Sequence, residues 1–189
     1  MLGLEIYPDI LSKLECEHII AHFERDDRTS VGVSYNNEVD TSIKSSTDLV
    51  CDFNDTQYSQ YNSIILPKLS IAIDKFIQQY QFLQYIDEWE LTATYNIQRY
   101  DDGQGFYQPH CEHSAFFYRR ILAWMIYLND SPCGTEFPYQ KIKLQASQGN
   151  GAIWSASWTH PHKGVTPNIG TKYIVTGWCQ FKHDYGNTQ

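Results

Sequence analysis

The chain has no C-x-x-C pair, no long apolar run and no basic block. Its five cysteines, Cys16, Cys51, Cys111, Cys133 and Cys179, are odd in number and scattered. That spacing signals neither a disulfide framework nor a structural zinc knuckle, and it points to reduced thiols in a cytoplasmic setting. No stretch of about 18 apolar residues occurs, so no transmembrane helix is expected. The opening residues, MLGLEIYPDIL, carry Glu5 and Asp9 and no basic segment, so they do not read as a secretory signal. With 14 Lys and Arg against 22 Asp and Glu, the net charge of −8 argues against a nucleic-acid partner, which needs a concentrated cationic surface. No linker, repeat or low-complexity tract divides the chain.

What is present is aromatic. Fourteen Tyr, nine Phe and five Trp bring the aromatic share to 15%, which suits a β-rich core with polar-tipped side chains lining a cleft. A length of 189 residues is one domain's worth, enough for a single sizeable core. Ser12 and Glu15 form a capping-box pattern, and Cys16, Ile19, Ile20 and Phe23 follow at helical spacing. Residues 25–55 are polar and read as short strands with a mobile loop. From 58 to 80 a helical period returns in Tyr61, Ile65, Leu69, Ala72, Phe76 and Tyr80, with Pro67 expected to kink or split it.

Beyond residue 86 the period becomes two. Leu91, Ala93, Tyr95 and Ile97 alternate with polar residues as in a half-buried strand. The run ILAWMIYLN at 121–129 suits a strand covered on both faces. Further strands are expected at 141–145, 152–155 and 172–181, turns at 132–134 and 148–151, and a frayed tail after His183. The expectation is a mainly β, α+β fold: helical support over about 1–85 and a β core over about 86–183, in one domain.

The residues with chemistry gather in two stretches. His110 and Glu112 stand two apart, which on an extended strand puts both side chains on one face and turns Cys111 away. His162 supplies a second imidazole, with His160 open as an alternative. Two imidazoles and one carboxylate form the facial triad that suits non-haem Fe(II) and leaves positions for substrate and oxygen. A keto acid bound there needs a cation and a hydroxyl donor for its far carboxylate. Lys172 fits the first role and Tyr127 the second.

Taken together, these stretches resemble the 2-oxoglutarate/Fe(II)-dependent oxygenases, and among them the prolyl 4-hydroxylase-like group. The resemblance rests on Tyr100, Gly103, Gly105, Phe106, Tyr107 and His110-Cys111-Glu112, then on Tyr127-Leu128-Asn129. It continues through Gly134, Thr135 and Phe137, and ends in His162, Gly164, Gly170, Lys172, Tyr173 and Trp178. One position departs from the pattern, since the carboxylate ligand is usually Asp and here is Glu112. The added methylene requires the backbone to sit about 1 Å further back or the side chain to fold.

The resemblance implies a double-stranded β-helix (jelly roll) that uses Fe(II), 2-oxoglutarate and O2, with ascorbate as a reductant. It implies His110, Glu112 and His162 as iron ligands, and Lys172 and Tyr127 as holders of the distal carboxylate. Tyr100 would sit by the co-substrate, and Arg120 and Trp178 would border the substrate cleft. The implied reaction is hydroxylation of a prolyl residue in a protein or peptide. The same chemistry on a free amino acid or small molecule stays open, as do a non-catalytic binding module and a cupin-type metalloenzyme.

Overall fold

The computed structural model describes residues 2–34, 38–167 and 169–183. The tail expected after His183 lies outside the described residues. Two helices lie among twelve strands in this description. In chain order they are β1 (Leu4–Tyr7), α1 (Lys13–Phe23), β2 (Ser30–Val31), β3 (Lys44–Ser45), β4 (Thr47–Asp52) and α2 (Ser59–Gln79). There follow β5 (Trp89–Tyr100), β6 (Gly105–Phe106), β7 (Arg120–Tyr127), β8 (Ser131–Phe137), β9 (Ile142–Ala146), β10 (Gly151–Ser155), β11 (Lys163–Gly164) and β12 (Lys172–Phe181).

Seven strands form the major sheet in the order β1-β10-β7-β12-β5-β4-β2, and β11-β8-β9 form a smaller one. Their neighbours pair antiparallel. Strand alternation divides the residues of the central strands between two cores. On one face Leu122, Trp124, Ile126, Ile97 and Val175 pack under Ile19 and Phe23 of α1 and Ile65, Leu69 and Phe76 of α2. On the other, Ala123, Met125, Tyr127 and Ile174 meet Phe137, Leu144 and Ala146 of the smaller sheet. Each large side chain buried this way contributes about 1.5–3 kcal/mol. Two facing antiparallel sheets around an inner core are the double-stranded β-helix that the sequence led us to expect.

Most elements form where the periodicity placed them, and the exceptions have physical causes. The capping box holds, with Ser12 and Glu15 bonding each other's backbone at the start of α1. Pro67 does not split α2, which runs unbroken through it. The helix loses one backbone bond there, yet Tyr61, Ile65, Leu69, Ala72, Ile73 and Phe76 stay buried along its inner face, and that burial outweighs the loss. Residues 132–134, expected as a turn, lie inside β8, which pairs irregularly between Ser131 and Thr135. Pro132 cannot donate to a ladder, and a side chain at Gly134 would run into the Leu144 carbonyl, so this strand carries a bulge. The segment before residue 86 also supplies sheet: β1 and β4 take places in the major sheet beside the helices. No helix among the described residues is long and apolar enough to cross a membrane.

Candidate active site

The inner face of β12 sets out one wall of the site. Lys172, Ile174, Thr176 and Trp178, two residues apart, all line a cavity of about 510 Å³ between the sheets. Asn96, Gln98 and Tyr100 of β5 extend that wall. Asn129 fixes where β12 begins: its carbonyl oxygen accepts from the Tyr173 N–H at 2.8 Å and its amide donates to the Thr171 carbonyl at 2.7 Å. That is a structural reason for an asparagine after Tyr127-Leu128.

At one end of the cavity three donors converge. His110 and His162 form an isolated antiparallel bridge, each backbone N–H donating to the other's carbonyl at 2.9 and 2.8 Å. Glu112 comes from a loop and not from the extended strand expected for residues 110–112. The N–H groups of Glu112 and His113 both donate to the Ala156 carbonyl, at 3.1 and 3.0 Å, and this turns the chain after a single bridged residue. Cys111 therefore does not pack behind a strand. It lines the cavity, its thiol donating to the His113 carbonyl at 3.3 Å.

The geometry of the cluster would suit a metal ion. Glu112 Oε1 lies 3.2 Å from His162 Nε2 and 3.6 Å from His110 Nε2, and the three ligand atoms all fall within 4.8 Å of one another. Nδ1 of His110 faces the Gln108 carbonyl at 3.1 Å and Nδ1 of His162 faces the His160 carbonyl at 3.2 Å. A carbonyl only accepts, so each Nδ1 can donate there, which leaves both Nε2 atoms turned to the shared space. Phe106 stacks on the His110 ring at 3.7 Å, while Phe137 and Trp154 pack on His162 at 5.4 and 4.9 Å. Burial acts to raise the Glu112 carboxyl, but the two histidines outweigh it and hold the group well below the ordinary carboxylate range. Burial, with His110 beside it, pushes His162 down towards the neutral imidazole a metal needs.

His160 takes no place in this cluster. Its Nε2 donates to the Leu2 carbonyl at 3.2 Å and its Nδ1 meets the Thr159 hydroxyl at 2.9 Å, so both nitrogens are occupied. The second oxygen of Glu112 is held from the opposite side to the histidines. Trp178 Nε1 donates to Oε2 at 2.7 Å and Arg120 Nη1 lies 3.5 Å away. The Arg120 guanidinium is sandwiched between the rings of Phe117 and Trp178 at 3.8 and 3.6 Å, and burial lowers it to about 10.

Two lysines are buried in the cavity wall. The Lys172 ammonium donates to the Val165 carbonyl at 3.1 Å and sits 5.0 Å from the Tyr100 ring centre. No carboxylate among the described residues pairs with it, and burial lowers it to about 8. Lys44, which sequence reasoning passed over as part of a polar loop, pairs with Asp48 at 2.5 Å. Asp48 also accepts from Ser46 and from Gln98, whose own oxygen accepts from the Tyr100 hydroxyl at 2.9 Å. Tyr127 is buried behind the wall, and its hydroxyl donates to Thr135 at 2.8 Å. Thr135 lines the cavity, and its hydroxyl, which accepts from Tyr127, donates weakly to the Met125 sulfur at 3.7 Å. Its only sequence signal was the match of Gly134, Thr135 and Phe137 to the family pattern.

The donor set fits Fe(II): two imidazoles and one carboxylate converge at one end of an open cavity. The comparisons agree. A profile described as the 2OG-Fe(II) oxygenase superfamily matches residues 95–180, which hold all three donors and Lys172. A viral collagen prolyl hydroxylase from Paramecium bursaria Chlorella virus-1 is 17% identical, with 96% of this chain and 97% of that one covered and a TM-score of 0.69. A Pseudomonas putida prolyl-4-hydroxylase is 15% identical over 94% of this chain and 92% of its own, TM-score 0.69. A Trichoplax adhaerens prolyl hydroxylase, solved with a peptide fragment of the hypoxia inducible factor oxygen degradation domain, is 15% identical over 99% and 87%, TM-score 0.73. No curated protein matches the chain. Residues 95–180 thus match the profile of the 2OG-Fe(II) oxygenase superfamily, and the chain as a whole shares its fold with the solved prolyl hydroxylases.

Proposed function

We propose that the protein is a 2-oxoglutarate- and Fe(II)-dependent dioxygenase that hydroxylates a prolyl residue in a protein or peptide. The observation that carries the reading is that one cavity holds a His110–Glu112–His162 donor cluster and, at Lys172, a buried cation with no carboxylate partner. A dicarboxylate that chelates a metal at one end needs a cation at the other. When bound, Fe(II), 2-oxoglutarate and O2 supply the oxidation: one oxygen atom enters a substrate C–H bond and the other enters succinate as CO2 leaves.

The protein's own part is to bind, orient and exclude water. His110, Glu112 and His162 hold the iron. Lys172 takes the distal carboxylate, with Thr135 as its hydroxyl neighbour and Tyr127 behind it fixing that hydroxyl. Tyr100 covers the lysine, and its own hydroxyl is committed to Gln98. Arg120, Trp178 and Phe117 face the cavity and offer an apolar, cation-backed wall for a pyrrolidine ring. Val33 and Ser34, in the polar segment read from the sequence as short strands with a mobile loop, also line the cavity. Support for a peptide comes from that open wall, from the acidic net charge and from a neighbour in the same fold that was solved with one. Five unpaired cysteines fit a reducing, cytoplasmic compartment.

The test is to incubate the protein with Fe(II), 2-oxoglutarate, ascorbate and a proline-rich peptide library, and to read the products by mass spectrometry. The expected result is peptides gaining one oxygen on a prolyl ring, dependent on 2-oxoglutarate. Oxidised free amino acids or small molecules with no oxidised peptide would replace the prolyl reading with a small-molecule one.

A further inference from the structure

We infer that Trp178 and Arg120 are positioning residues that make Glu112 a one-oxygen ligand, and that the length of the glutamate is matched to them. This rests on the metal reading above. The two carboxylate oxygens face different partners: Oε1 looks at the two Nε2 atoms, and Oε2 accepts from the Trp178 indole at 2.7 Å beside Arg120. A carboxylate free to rotate could offer both oxygens to a metal and occupy a position that co-substrate or oxygen needs. Here the second oxygen is committed.

The clamp cannot follow a shorter side chain. The indole is stacked on Arg120, which is itself stacked on Phe117 and bonded to it through the backbone at 3.2 Å. The Trp178 carbonyl accepts the Thr92 hydroxyl at 3.2 Å, anchoring the residue to β5 from behind. The backbone at 112 is equally fixed, since its N–H and that of His113 share the Ala156 carbonyl. An aspartate at 112 would draw the carboxylate back by about one C–C bond, roughly 1.5 Å. It would then meet the histidines or the indole, but not both. The glutamate at 112 is in this reading a fitted part, and shortening it to aspartate damages the site.

The test uses Co(II) as the probe, titrated into the chelator-treated full chain and followed by calorimetry, for the wild type, Glu112→Asp, Trp178→Phe and the double variant. Loss of an outer partner of a metal ligand costs about 10–100-fold in metal affinity. Trp178→Phe and Glu112→Asp should therefore each weaken Co(II) binding by about that factor. The double variant should be no weaker than Glu112→Asp alone, because an aspartate that binds the metal beside the histidines no longer reaches the indole; that non-additivity is what mere structural damage would not produce. Apo-protein melting checks that each variant is folded. Arg120→Met, expected to lose less, takes the place of Trp178→Phe if the latter does not fold. Unchanged Co(II) affinity in folded Trp178→Phe, or equal or tighter binding by Glu112→Asp, would overturn the inference while leaving the metal site standing. A wild type that binds no Co(II) would bring down the metal reading itself, and the inference with it.

Discussion

Lys44 and Lys172 are both buried in the wall of the same cavity, at 4% and 2% exposure, and they differ in what faces them. Lys44 brings its own counter-ion. Asp48 sits at 2.5 Å and is itself bonded by Ser46 and Gln98, so the pair is neutral and internally satisfied. Lys172 has a backbone carbonyl and the face of Tyr100 but no carboxylate among the described residues, and its ammonium is lowered to about 8. Burying a charge without a partner is costly, and a fold keeps such a group where a ligand brings the missing charge. In the function proposed above, the contrast separates a lysine that serves the structure from one that awaits a ligand, although both are buried lysines in one cavity.

Several experiments would break or sharpen that contrast. The largest effect is expected at the other end of the cavity, where His110→Ala or His162→Ala should reduce iron-dependent succinate formation to background while the protein stays folded by circular dichroism. Next comes the lysine pair itself. Lys172→Ala should raise the KM for 2-oxoglutarate by the equivalent of about 2–4 kcal/mol, because it leaves the bound carboxylate buried without its cation. Lys44→Met, measured in the same way, should leave that KM within about threefold, a difference of well under 1.4 kcal/mol. Equal effects from the two substitutions would erase the distinction.

Stability should show the opposite order. Asp48→Asn leaves Lys44 buried against a neutral amide that still accepts hydrogen bonds. Its cost should therefore fall below the ~3–5 kcal/mol of a fully broken pair, at about 2 kcal/mol by urea unfolding. The smallest effect is the pH dependence. Lys172 is charged below about 8 and loses its proton above it, so kcat/KM for 2-oxoglutarate should fall about tenfold per pH unit beyond that point. Lys172→Arg, whose guanidinium stays protonated, should move the fall to higher pH.

The sequence revealed the strands better than it revealed the loop that brings Glu112 to the two histidines. β12 was legible from 172 to 181 as a β-prone run, and its residues divide between two faces, Val175 and Cys179 on one and Lys172, Ile174, Thr176 and Trp178 on the other. His110, Glu112, His162 and Lys172 could be named because residue type and spacing restrict what such groups do together. The route by which Glu112 arrives was not legible. The i, i+2 rule assumes an extended strand, and here a distant carbonyl, that of Ala156, bends the chain after one bridged residue. The Lys44–Asp48 pair was hidden for a related reason. Its partners Gln98 and Tyr100 lie about fifty residues away, and nothing local marks a lysine in a polar stretch as buried. Pro67 misled because its local cost is visible in sequence, whereas the packing that offsets it belongs to the tertiary structure.

The most direct test of the cavity as a 2-oxoglutarate and iron site is the stoichiometry of co-substrate turnover. Purified protein with Fe(II), ascorbate and 2-oxoglutarate, sampled over time by chromatography, should convert 2-oxoglutarate to succinate one for one. That conversion should stop on chelation, be absent in His162→Ala, and require a much higher 2-oxoglutarate concentration in Lys172→Ala. No succinate from folded wild-type protein that has bound its metal, or succinate formed equally well by His162→Ala, would contradict it.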